Sequence, residues 1–134
     1  MRTLNICNLK GGVGKTITAT NLAYVLSAVH GKKVLLVDND KQGNSSKFFG
    51  VHSYDHPSIA DIMTGAKGAE EVIRHTAYEG LDIIPANMAL LAANKAVLLD
   101  TMTAQQTRIK HGLAPVADRY DFAIIDNAPD ENMS

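Results

Sequence analysis

Tryptophan is absent, and only 5% of the 134 residues are aromatic. The interior must therefore be filled by aliphatic side chains and alanine. There is one cysteine, Cys7, which excludes an intrachain disulfide framework and fits a reducing compartment. It lies inside an apolar run and reads as a small buried apolar residue. Charge of one sign is also lacking: the formal net charge is −1, so nothing demands a polyanionic partner. No run approaches the ~18 apolar residues of a membrane span, and no leader is expected before the first apolar run. A cytoplasmic protein with no membrane partner is expected. Repeats, low-complexity segments and linkers are absent, and residues 1–134 read as a single domain, long enough to bury roughly two-thirds of its unfolded surface. The five histidines, His30, His52, His56, His75 and His111, show no ligand spacing and read as surface or helix-end residues.

Glycine, in contrast, is concentrated where it counts. Leu9-Lys10-Gly11-Gly12-Val13-Gly14-Lys15-Thr16 follows the apolar run Leu4–Leu9 and precedes a helical pattern, the context of a phosphate-binding loop. Gly11, Gly12 and Gly14 let the backbone bend tightly around a ligand, and successive N–H groups can then point at phosphate oxygens. The following helix adds unpaired donors and a partial positive charge at its start. Lys15 supplies a cation for the outer phosphates and Thr16 a hydroxyl for magnesium. Where the ordinary pattern opens on glycine this chain has Leu9, and the loop carries a second lysine, Lys10.

Apolar runs alternate with helical patterns along the rest of the chain. Leu4–Leu9 reads as a buried strand. A helix beginning at Gly14 or Lys15 carries Ala19, Leu22, Ala23 and Leu26 on one face and stops near Gly31. Val34–Val37 suits a central parallel strand. Asp38 to Ser58 reads as loop, with Ser58 capping a short helix through Met63. Gly65 and Gly68 break that helix, and Glu70–His75 is a short amphipathic turn. Leu81–Ile84 is a further strand, closed by Pro85. From Ala86 to Lys110 the pattern is helical, with Leu91, Leu98, Met102 and Ile109 on one face and Gly112 as its end. Pro115 opens another short helix, and Phe122–Ile125 is the last strand. The fold class is α/β, a mainly parallel sheet flanked by helices.

Carboxylates close two of these strands. Asp38 and Asp40 follow Val34–Val37, at the strand end where open α/β sheets bind ligands. Asp126 follows four apolar residues, a Walker B pattern, and would reach magnesium through a water.

The Lys-Gly-Gly-Val-Gly-Lys-Thr loop resembles that of the deviant P-loop ATPases, the ParA and MinD family. Asp38-Asn39-Asp40-Lys41-Gln42-Gly43-Asn44 resembles the segment after the family's second strand, with Lys41 in place of proline. Ile59–Gly65, Glu79–Ala86 and Leu113–Asp121 resemble further ParA or Soj-type segments, and Asn127 stands where the family has Cys or Thr. The resemblance implies a P-loop NTPase-like fold, truncated after the Walker B strand, since family members run to roughly twice this length. It implies ATP or ADP bound along Lys10, Gly11, Gly12, Val13, Gly14, Lys15, Thr16 and Ile17, with magnesium held through Thr16, Asp38 and Asp126. Catalytic roles pass by resemblance to Lys15, to Lys10 acting from a second subunit, and to Asp40, which positions the attacking water. The implied activity is ATP hydrolysis driving plasmid or chromosome partitioning through an ATP-dependent homodimer. A ParB-like activator and, in the full-length form, non-specific DNA are the implied partners. A MinD-like positioning ATPase and a non-hydrolysing nucleotide-binding fragment are the alternatives. A chain that stops here is also expected to leave its first strand short of a neighbour and to self-associate by strand pairing.

Overall fold

A computed structural model describes residues 1–6, 13–40, 44–50, 58–65, 67–86 and 102–127. In chain order its elements are β1 (Arg2–Ile6), α1 (Val13–Tyr24) continued by a π-helical turn over Val25–Val29, β2 (Val34–Asn39), α2 (Asn44–Phe48), α3 (Ile59–Thr64), α4 (Ala69–Val72), β3 (Arg74–His75), β4 (Leu81–Ile84), α5 (Met102–Leu113) followed by a 3-10 turn over Ala114–Val116, and β5 (Phe122–Asn127). The strands lie in the order β1-β5-β2-β4-β3. Pairing is parallel from β1 through β4, and β3 adds to β4 antiparallel. The mainly parallel α/β sheet expected from the sequence is thus present.

β2 is buried along its whole length, as its unbroken apolar run requires of a strand covered on both faces. Alternation along the strands sorts the core into two layers. Leu35, Val37, Ala123 and Ile125 meet α3, α4, α5 and the 3-10 turn through Ile59, Ile62, Val72, Ile109, Leu113 and Val116. Val34, Leu36, Ile83 and Ile124 face the other way, under Ala19, Ala23 and Leu26 of α1 and its continuation, with Phe49 beside them.

Several local features follow from single residues. Ser58 caps α3: its Oγ accepts from Ala60 N at 3.2 Å, and Ser58 N donates to Asp61 Oδ2 at 2.9 Å. Gly65 ends α3 at φ 76°, a left-handed conformation that costs glycine least. Gly112 has a different reason to be glycine. A methyl there would overlap Ile62 Cγ2, so it permits the close approach of α5 to α3, and α5 runs one residue past it. Ser27 Oγ donates to the carbonyls of Ala23 and Tyr24 at 2.9 and 3.2 Å, competing for helix acceptors where α1 widens into its π turn.

The structure corrects four further expectations. The first strand is Arg2–Ile6, and it is not buried: four of its five residues are exposed, because among the described residues it pairs only with β5. α1 starts at Val13, a residue earlier than read. α2 forms inside the stretch read as loop, and residues 74–75 extend as β3 where a helical turn was expected, since pairing with β4 overrides a two-residue propensity. Leu91 and Leu98 lie outside the described residues, whereas Ile109 is fully buried, as its place in the pattern demands. No helix among the described residues is long and apolar enough to cross a membrane.

Candidate functional site

Asp38 and Asp126 are neighbours in the β2–β5 register. Alternation places both on the face of Val34, Leu36 and Ile124, beneath α1. Each is completely buried. Asp38 Oδ1 accepts from Asp40 N at 3.2 Å, and its Oδ2 accepts from Ser46 N at 2.9 Å and Ser46 Oγ at 2.6 Å. Asp126 Oδ2 accepts a short bond from Ser45 Oγ. Burial pushes the Asp38 carboxyl up to about 7; the bonds from Ser46 and Asp40 pull it down, and the neighbouring Asp126 charge adds to the rise. Asp40 is buried beside this pair.

The opposite face of the same strand ends carries a row of amides. Asn39 Nδ2 donates to Asn127 Oδ1 at 3.1 Å, and Asn127 Nδ2 donates to Asn5 Oδ1 at 3.2 Å. This row crosses β2, β5 and β1, and it gives the unusual Asn127 a structural role: it ties the edge strand to the sheet centre.

Among the expected site residues, Asp38, Asp40 and Asp126 are brought together. Lys10, Gly11 and Gly12 lie outside the described residues, as does Lys41. Val13, Gly14, Lys15, Thr16 and Ile17 form the first turns of α1, and their side chains are outside what is described. The helix start therefore follows residues 10–12 directly, with its positive dipole end there. Sequence reasoning missed Ser45 and Ser46. Both are fully buried, yet two serines after an Asn in a loop-like stretch carry no signal that they reach across to strand ends.

The donor set suits magnesium. Two adjacent buried carboxylates, one pushed upward by desolvation and like charge, gain most from a hard divalent cation, and the neighbouring donors are all oxygen.

A family described as an AAA domain matches residues 1–134. The sporulation initiation inhibitor protein Soj of Bacillus subtilis is 39% identical over 125 residues, 92% of this chain and 48% of Soj. A ParA family protein of Chlamydia trachomatis is 36% identical over 129 residues, 96% of this chain and 51% of that protein. The structure of cobyrinic acid a,c-diamide synthase from Mycobacterium smegmatis, with an ATP analog and magnesium bound, superposes with a TM-score of 0.86 at 31% identity, over 97% of this chain and 52% of that one. The chain thus spans about half the length of the relatives it matches.

Proposed function

The chain belongs to the AAA-domain family of ParA/MinD-type P-loop ATPases, and from that premise we propose that it binds magnesium ATP at the carboxyl end of its sheet and hydrolyses it. The observation that carries the reading is the buried pair Asp38 and Asp126, adjacent in register below α1. The bound ligands in the mycobacterial relative, an ATP analog and magnesium, support the same choice.

In this reading Gly11, Gly12, Val13 and Gly14 wrap the phosphates with backbone N–H groups, and Lys15 neutralises the outer oxygens. Thr16, Asp38 and Asp126 would hold magnesium. Magnesium, when bound, supplies charge neutralisation on the phosphate oxygens. Asp40 orients the attacking water and accepts its proton. Lys10 reaches the phosphates of a second copy, so that ATP favours a homodimer. In the full-length protein that dimer engages DNA and a ParB-like activator in the cytoplasm, in the service of plasmid or chromosome partitioning. Residues 1–134 act as one nucleotide-binding domain, and pairing of β1 edges provides a second route to self-association.

The test is calorimetric titration of ATP and ADP, with phosphate release measured alongside. Magnesium-dependent release is expected, and Lys15→Ala should weaken nucleotide binding by about 100-fold. Unchanged binding in Lys15→Ala, or no binding of either nucleotide by the wild-type chain, overturns the proposal.

A further inference from the structure

We propose that Ser45 and Ser46 are positioning residues of this site: their hydroxyls hold the Asp126 and Asp38 carboxylates, and a cation that competes for those carboxylates releases α2. The inference rests on the magnesium-nucleotide reading above.

The geometry of α2 motivates it. Ser45 Oγ bonds Asp126 at the end of β5. Ser46 Oγ donates to Asp38 at the end of β2 and accepts from Ala86 N, just past β4, at 2.9 Å. A helix of five residues is therefore tied to the ends of three adjacent strands, largely through the two carboxylates that the metal needs. One of these oxygens is already committed. Asp38 Oδ2 accepts two donors from Ser46, the full complement of its lone pairs. A hydrated magnesium ion offers O–H donors from its water shell, the same kind of bond the serines make. Engaging Oδ2 must displace a serine donor, so hydroxyl and cation compete.

Release of α2 would be felt at the surface. Phe48, the last residue of α2, is 64% exposed. Its ring meets Phe49 edge-on at 5.0 Å, Phe49 meets Tyr78 at 6.1 Å, and Tyr78 meets Tyr24 at 5.2 Å. Four of the chain's seven aromatic residues form this run, which begins on the element that grips the carboxylates. A shift of α2 alters the first ring of the run, and the metal state becomes readable outside the site.

The experiment uses the whole chain saturated with ADP and titrated with magnesium chloride. Because the chain has no tryptophan, Phe48→Trp introduces a lone reporter. Magnesium should shift the emission of that variant. Ser45→Ala and Ser46→Ala should bind magnesium about 2- to 10-fold more tightly, the worth of one competing hydrogen bond, with ADP affinity in metal-free buffer unchanged. Ser46→Thr, which keeps the hydroxyl, should return to wild-type affinity; a merely structural role would not give this pattern. Ser46→Ala also strips Ala86 N of its acceptor, so Ser45→Ala carries the test if that variant fails to fold. Equal or weaker magnesium binding in the alanine variants, or silent emission while magnesium binds, overturns the proposal and leaves the ATPase reading intact. Failure of the wild-type chain to bind ADP or magnesium at all overturns both.

Discussion

The two ends of the same sheet hold similar polar clusters in different surroundings. At the carboxyl end Asp38 and Asp126 are fully buried and receive serine donors. At the amino end Asp82 accepts from Tyr120 Oη at 2.6 Å and pairs with His75 Nδ1 at 2.6 Å, on the wall of an open cavity of about 450 Å³ lined also by Lys33, Ile73 and Arg119. The bonds are alike in kind and length, and access to water differs. Burial pushes the Asp38 carboxyl upward, and its charged neighbour, a second carboxylate and not a cation, adds to the rise. At the amino end the phenol is the displaced group: burial first, then the Asp82 carboxylate, hold the Tyr120 hydroxyl protonated above the usual tyrosine range. One cluster is therefore a settled tie. The other is an electrostatic conflict between two buried carboxylates.

The largest effect should come from neutralising each end in turn. Asp38→Asn and Asp126→Asn are expected to lower magnesium-dependent phosphate release by about 100-fold or more, while Asp82→Asn leaves it within about twofold. A phosphate-release assay on the three variants decides. Equal losses at both ends would erase the functional distinction between them.

The same conflict predicts a pH dependence for the metal-free protein. The Asp38 carboxyl titrates near 3.8 when unfolded and is pushed up to about 7 when folded, so between those values the folded state binds more protons than the unfolded state. Stability is then fullest below about 4, falls as pH rises towards 7, and levels off above it. The span is on the order of 4 kcal/mol, from roughly 1.4 kcal/mol per pKa unit. Chemical denaturation at pH 5 and pH 8 measures it. Asp38→Asn should flatten that slope and raise stability at pH 8 even as it abolishes turnover, whereas Asp82→Asn should leave the slope in place.

Much of this was legible in the residues, and the exceptions have physical causes. Val34–Val37 and Phe122–Ile125 announced buried strands because an unbroken aliphatic run has few other uses, and the aspartates that follow them were placed by strand direction alone. Ser58 and Gly65 gave the limits of α3 through capping chemistry. β1 was misjudged because Leu4 and Ile6 look like core, and whether a strand lies at the centre or the edge is decided by its partners. Gly112 looked like a helix stop, yet its neighbour is Ile62, fifty residues earlier in the chain. Ser45 and Ser46 were invisible for the same reason: their bonds run to Asp126, Asp38 and Ala86, and local pattern carries no trace of such distant pairings.

A smaller effect should follow at the amino end. Tyr120→Phe removes one partner of Asp82, and its half-buried setting suggests a loss of about 1 kcal/mol. Urea unfolding should detect it with no change in nucleotide affinity. Altered nucleotide affinity in this variant would mean that the amino-end cluster is coupled to the strand ends opposite.

The smallest effect belongs to the rim of the amino-end cavity. Arg119 Nη2 and Glu70 Oε1 lie 2.9 Å apart, and both side chains are more than half exposed. Coulomb attraction there is screened by water and opposed by the entropy of fixing two long side chains, so the pair should contribute no more than about 0.5 kcal/mol. A double-mutant cycle with Arg119→Ala and Glu70→Ala, run at low and high salt, measures the coupling free of each residue's other roles. The coupling should shrink further as salt rises. A larger value that resists salt would place the rim in a low-dielectric setting like that of Asp38, and the contrast between the two ends of the sheet would then have to be drawn in geometry, not in access to water.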